Sequence, residues 1–286
     1  MLQNAERYVY HYTSSQTLTE HILPTGRLRF SRFETVNDPR ESKEWAFNFI
    51  RYSSAHDAHV EEISESFNHH LKRDWRIGCF VSDTDEAVAT PQRELQRHDV
   101  INAPYQRGHS RPAMWWHYGD KYRGACIVFD RMALDAAVRT APNVSQQIFC
   151  DRVEYRNPSP ITSPFGSAGV LDIDCESVRE FGVDEAAKRH LKQHAKMLLF
   201  TKLRDWEPER EFRWAVSVDS DEDHFIDLGR SLVGIIIGDQ FPQGRRCSVG
   251  DFARSNNVEI GYMTWQNGFP QPKPSHANII DKIELR

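Results

Sequence analysis

The chain of 286 residues is 39% hydrophobic and 27% charged, with seven tryptophans and a net charge of −5. Such a composition excludes a disordered chain, and the length suffices for a sizeable core. The length fits one large domain or two small ones and no linker settles the count; a single domain over residues 1–286 is the expectation. No apolar run approaches the roughly 18 residues that a membrane span needs. Glu6 and Arg7 also interrupt any apolar leader, so neither a membrane partner nor a secretory signal is expected. Five scattered cysteines (Cys79, Cys126, Cys150, Cys175 and Cys247) form no C-x-x-C pair and read as reduced thiols of a cytoplasmic protein.

Aromatic and β-branched residues predict a strand over Tyr8–Tyr12, and Thr13 to Ser15 offer caps for a short helix ending near Gly26. Arg27–Ser31 alternates as a second strand. Asn37-Asp38-Pro39 is a turn, predicted to open a long helical region from Glu41 to about Lys72 with an irregular patch at Ser53–Asp57. Trp75–Val81 reads as a strand, and the polar stretch Ser82–Pro112 as a loop that carries its own helix or covers a site. Gly124–Asp130 is a buried strand followed by a helix through Val138, Ile148–Tyr155 a strand, and Asn157–Gly169 a surface loop. The apolar stripe Phe181, Ala187, Leu191, Ala195, Leu198 and Leu199 predicts a helix over Ser177–Leu203. Strands follow at Glu211–Val218, His224–Leu228, Leu232–Ile237, Val258–Trp265 and Ile279–Leu285, with a short helix at Asp251–Arg254. The irregular interspersion predicts an α+β fold with a mixed, mainly antiparallel sheet and flanking helices.

The densest chemical signal is Trp206-Glu207-Pro208-Glu209-Arg210-Glu211-Phe212-Arg213-Trp214. On a strand, Glu209 and Glu211 would share a face while Phe212 and Trp214 take the other. Paired carboxylates repel and shift one another's pKa unless cations or a ligand compensate. Arg210 and Arg213 are the candidate cations, and an ion-paired strand edge is the structural alternative. Met114-Trp115-Trp116-His117-Tyr118 sets two indoles, an imidazole and a phenol beside a turn, suited to stacking on a planar ring, with one tryptophan expected in the core. His190 and His194 lie four apart on a predicted helix, but a third metal ligand is not evident. Cys79 and Cys126 sit in apolar strands as core residues. Arg93, Arg97, Arg107, Arg111 and Arg123 form either a phosphate-binding groove or a solvated surface. The P-loop, G-x-G-x-x-G, H-E-x-x-H and G-x-S-x-G motifs are absent.

Five segments taken in order resemble a bacterial family of unknown function, the one numbered twenty-nine seventy-one. They are Tyr10–Thr13, Asn37–Glu41, Met114–Tyr118 with Arg123–Asp130, Lys202–Trp206, and Glu209–Arg213. A looser similarity, a His on the opening strand and a Glu-x-Glu on a late one, resembles the ADP-ribosyltransferase superfamily, whose members cleave NAD at the nicotinamide bond. That resemblance implies NAD as the substrate, with Glu211 gripping the nicotinamide-ribose hydroxyl and Glu209 orienting or deprotonating an acceptor. It implies that His11 holds the adenosine ribose and that Tyr118 or Trp116 stacks on nicotinamide. Thr13, Asn37, His117 and Arg213 join these as nucleotide-contacting residues. The superfamily's serine-threonine-serine motif has no counterpart in this sequence. The implied activity is ADP-ribosyl transfer or NAD hydrolysis, in a toxin or antiphage effector acting on a protein or nucleic acid. A non-catalytic nucleotide-binding sensor is the alternative.

Overall fold

The computed structural model describes residues 7–51, 60–84, 107–142, 144–157, 169–218 and 222–274. Its strands are β1 (Tyr8–Thr13), β2 (Arg27–Arg32), β3 (Asn48–Ile50), β4 (Trp75–Val81), β5 (Ala125–Asp130), β6 (Val144–Arg152) and β7 (Glu154–Arg156). Then come β8 (Asp172–Asp174), β9 (Thr201–Leu203), β10 (Glu211–Val218), β11 (His224–Asp227), β12 (Leu232–Ile237), β13 (Glu259–Gln266) and β14 (Phe269–Pro274). Ten of them form one sheet in the order β11-β2-β4-β1-β5-β12-β13-β14, with β10 between β4 and β6. All its pairings are antiparallel except β12 with β13, and helices pack on it, which makes the fold α+β.

Alternation along each strand assigns the two faces of the sheet. Val9, Phe80, Phe129, Trp214 and Val216 lie in one core, against Leu134 and Val138 of the helix Arg131–Arg139. Asp130 starts that helix, its carboxylate accepting from the Met132 and Ala133 amides at 3.1 Å each. On the other face Trp75, Ile77 and Ala215 meet Leu191, Ala195, Leu198 and Leu199 of the helix Val183–Leu199. Burying each leucine there contributes roughly 1.5–3 kcal/mol. The same face continues as Tyr10, Tyr12, Val81 and Cys126 packed on Met114 and Trp115.

Three predicted elements change. The helix expected over Glu41–Lys72 is a four-residue helix Pro39–Ser42, the strand β3 and a helix Val60–Arg73. β3 pairs in parallel with β8, and Phe47 and Phe49 pack at the cluster of Phe67 and Ile173. The period-two run Trp45, Phe47, Phe49 is the strand signal that competes with helix periodicity there. The helix expected over Ser177–Leu203 breaks at Gly182, whose φ of +80° glycine adopts without strain, and yields to β9 at Thr201. The helix expected at Asp251–Arg254 runs from Gln243 to Asn256. The strand Ile279–Leu285 lies outside the described residues, as does most of the Ser82–Pro112 and Asn157–Gly169 stretches. Among the described residues, no helix is long and apolar enough to cross a membrane.

Candidate functional site

The site begins as a fork in the sheet. One edge of β4 is paired with β10 from Ser217↔Trp75 to Glu211↔Val81. The other edge is shared: β2 pairs at Ile77 and Arg76, β1 at Val81. Between those anchors β1 and β2 diverge, and the Cys79 carbonyl is met by a side chain, His11 Nδ1, at 3.1 Å. Because a carbonyl only accepts, Nδ1 carries the proton and Nε2 keeps its lone pair. Burial holds the His11 pKa below the ordinary imidazole value, so the ring is neutral near pH 7.

A cavity of about 240 Å³ fills the fork, and His11, Asn37, Tyr118, Lys202, Glu209 and Glu211 line it. Phe30 packs beside it, directly over Gly78, where a Cβ would stand 2.3 Å from the Phe30 ring. Phe30 is fully buried against Phe80 and His224, so the ring has nowhere to go. Gly78→Ala is therefore expected to destabilise the fold by about 1–3 kcal/mol through overpacking, read as a lowered urea midpoint at unchanged slope.

Beneath the cavity lies a buried ionic cluster. Lys202 Nζ is 2.8 Å from Glu209, 2.8 Å from Glu211 and 3.7 Å from Glu41. Arg213, fully buried, forks onto both Glu211 oxygens at 2.6 and 3.0 Å, and its Nη1 reaches Glu41 at 2.6 Å and the Leu199 carbonyl at 2.5 Å. Tyr118 donates its hydroxyl proton to Glu209, and the Glu211 amide donates to the Tyr155 hydroxyl at 2.8 Å. Burial disfavours the Glu211 charge, but Arg213 and Lys202 outweigh it and hold the carboxyl far below its usual range. Burial likewise opposes the Lys202 charge, which Glu211 and Glu41 more than restore. Burial and then the Glu209 charge push the Tyr118 phenol up, so it remains a donor. Three carboxylates share Lys202 and Arg213 in this group, and Arg40 and Lys72 also act on Glu41 from behind, so Glu209 and Glu211 are the carboxylates at the cavity wall.

The expected strand geometry of the acid pair is corrected. Glu209 ends a 3-10 turn, Arg204–Glu209, and only Glu211 belongs to β10. Arg210 between them is left-handed at φ +44°, and this reversal, not the pleat, swings both carboxylates onto one ammonium. Arg210 itself is exposed, with its carbonyl accepting from the Ser82 amide and hydroxyl. Lys202 takes the place expected of it. Phe212 and Trp214 do project to the opposite, apolar face.

The remaining candidates divide. Asn37 lines the cavity and hydrogen-bonds Tyr118. Glu211 stands opposite Val81 and Val81 opposite Tyr10, so these share a face, while His11 projects from the other. His11 and the acids meet one cavity because the fork cuts through the sheet. Thr13 is buried opposite Ala125, away from the cavity lining, and Arg213 stands behind the acids. Trp116 is 49% exposed and lies by Tyr122, with Lys121 over its ring, and His117 is exposed; neither lines the cavity. Trp115 is the core tryptophan, donating to the His109 carbonyl at 2.8 Å. Cys126 is buried as expected, whereas Cys79 lines the cavity and hydrogen-bonds Glu211. His190 spends Nε2 on the Val170 carbonyl at 2.8 Å, which weakens its pairing with His194 as metal ligands. Arg107 is tied to Asp83 and Arg123 to Asp120, while Arg93 and Arg97 lie outside the described residues. Sequence reasoning missed Glu41 and Lys202 as site residues, although both stand inside segments that carry the family resemblance.

Acid should loosen this structure through its histidines. His11, His109, His190, His194 and His224 are all depressed, chiefly by burial, His109 to about 3. The unfolded chain then binds more protons below the unfolded value of about 6.5, and stability falls with pH in that window. His70, raised by its hydrogen bond to Asp74, acts in the opposite sense, contributing stability below about 6.5 that is lost as pH rises through its folded pKa. Urea midpoints at pH 7.5 and 5 are expected to show a net loss at the lower pH. Glu211 adds nothing to that loss, since its depressed carboxyl stays charged until far more acid conditions.

Comparison with curated proteins and with solved structures gave no match. A family model described as "Protein of unknown function (DUF2971)" matches residues 114–214, from Met114 beside the cavity, through Tyr118, Lys202, Glu209 and Glu211, to Trp214 of β10. That match covers the acid pair and both of its cations and supports the DUF2971 family.

Proposed function

We propose that the fork between β1 and β2 binds the nicotinamide–ribose half of NAD, and that the protein cleaves its N-glycosidic bond as an ADP-ribosyltransferase or NAD glycohydrolase. The observation that carries this reading is the convergence of Glu209, Glu211, Tyr118 and His11 on one cavity. Nicotinamide in NAD is a cation, so a cavity wall carrying two carboxylates and a phenol ring favours it. At about 240 Å³ the cavity is below the roughly 300–1,000 Å³ of whole-ligand sites, which suits a ring with its ribose better than a complete dinucleotide.

The chemistry follows from the remaining acceptor positions. A carboxylate offers about four lone-pair sites; Arg213 and Lys202 take three on Glu211 and the Cys79 thiol, a weak donor, takes the fourth, so a ribose hydroxyl would replace the thiol there. When the ribose C1′–N bond breaks, its electron pair leaves with neutral nicotinamide and positive charge develops on the ribose. A fixed carboxylate stabilises that state more than the ground state. Glu209, holding Tyr118 and Lys202, keeps two acceptor sites and would take the proton from the water or acceptor hydroxyl that attacks C1′. Neutral His11, with Nε2 free to accept, would fix a second hydroxyl.

A second reading has its own support. Glu211 is so fully compensated by Arg213 and Lys202 that the pocket could hold a nucleotide without reacting, as a sensor. Incubating the pure protein with NAD separates the two. Release of free nicotinamide over many turnovers supports cleavage; saturable NAD binding with the dinucleotide left whole supports the sensor and overturns the enzyme.

A further inference from the structure

A second cluster lies apart from the fork, at the end of the helix Val60–Arg73. His69 and His70 occupy its last turn and Asp74 follows it, just before β4. His69 Nδ1 is 3.9 Å from one Asp74 oxygen and His70 Nδ1 is 2.5 Å from the other. One ligand atom from each residue lies within 4.8 Å of the others. Tetrahedral zinc with bonds of about 2.0–2.2 Å sets its ligand atoms roughly 3.4 Å apart. With one ligand atom taken from each residue no separation exceeds 4.8 Å, so an ion would be accommodated by drawing the three side chains together.

The other ring nitrogen of His70 supplies the independent observation. Nε2 is 3.3 Å from Asp184 Oδ1, and that carboxylate also receives the Ser66 hydroxyl at 3.3 Å. A ligating histidine almost always donates its second N–H to a carboxylate or carbonyl, which fixes the tautomer and ring orientation. His70 is oriented in that way, and an ion would take the place of the proton that Nδ1 shares with Asp74. His69 and Asp74 keep side-chain exposures of 54% and 27%, leaving room for water in the remaining positions.

We propose that His69, His70 and Asp74 bind a divalent ion of the zinc type, with Asp184 as the residue that positions His70. Two imidazoles and a carboxylate are a ligand set suited to zinc and ill suited to magnesium, which prefers oxygen alone. Binding would clamp the end of the helix Val60–Arg73 to the first turn of the helix Val183–Leu199, where Asp184 resides. It would therefore stabilise the layer behind the ionic cluster without touching the cavity.

The test is calorimetric titration of chelator-treated full-length protein with zinc chloride, repeated with cobalt(II) for its absorption spectrum. The expected result is one saturable site and cobalt d–d bands without a thiolate charge-transfer band. His69→Ala and Asp74→Asn should abolish it, and Asp184→Asn should weaken it about 10-fold or more. Near-ultraviolet circular dichroism checks that each variant is folded. No saturable uptake by the wild type, binding unchanged in His69→Ala and Asp74→Asn, or a thiolate band placing the metal on cysteines would each overturn the proposal.

Discussion

Arg213→Ala is expected to remove about 3–5 kcal/mol of folding stability, the usual cost of breaking a buried ion pair by deleting one partner. Arg213 has no exposed surface and reaches both Glu211 oxygens, Glu41 and the Leu199 carbonyl together. Without it, Lys202 alone would face three carboxylates, two of them nearly inaccessible to water. Set against a total of roughly 5–15 kcal/mol for a typical domain, that loss is a large fraction. Arg213→Lys should recover little, since one ammonium cannot reproduce a planar fork on Glu211 while also reaching Glu41. Urea unfolding provides the measure, with Arg123→Ala, an exposed partner of Asp120, as the comparison expected to stay within about 1 kcal/mol of wild type. Equal small losses in both variants would show that the cluster is not what holds this face of the sheet.

Glu211→Gln is expected to slow nicotinamide release by about 100-fold or more, the usual effect of removing a group aimed at charge that develops in the transition state. The amide keeps the shape and one acceptor oxygen but abolishes the charge that, in the proposed reaction, would face the ribose. Because Arg213 and Lys202 lose a partner as well, rates must be compared per folded molecule, below the variant's melting transition. Glu209→Gln should separate the two outcomes of cleavage: loss of its proton-accepting role slows transfer to an acceptor more than it slows departure of nicotinamide. Chromatographic quantification of nicotinamide and of ADP-ribosylated product reads both steps. A Glu211→Gln protein that turns over NAD at the wild-type rate would place the reaction elsewhere.

Much of the sheet was legible because its strands carry local signals. Tyr8–Thr13, Trp75–Val81 and Glu211–Val218 combine aromatic and β-branched residues with alternation, and turn residues separate them. The segment after Asn37 misled because Trp45, Phe47 and Phe49 follow a strand period inside a region otherwise read as helix, and their partner β8 lies more than a hundred residues away. Glu209 and Glu211 stood out by composition, but their convergence depends on the left-handed Arg210, a conformation that arginine rarely adopts and that no local signal announces. Lys202 and Glu41 could not be placed from spacing: one follows a long helix, the other lies inside a short one, and only the tertiary fold brings both to this cluster. The fork itself is a property of register, set by where β1 and β2 each leave β4, and so is invisible to any reading of single strands.

The most direct measurement is a crystal structure of the Glu211→Gln variant grown with NAD. The account predicts the nicotinamide and its ribose lodged in the fork between β1 and β2, with ribose hydroxyls within hydrogen-bond reach of His11 Nε2 and of residue 211, and the ring against Tyr118. NAD bound at another surface, or a fork that stays without ligand at saturating NAD, would contradict it.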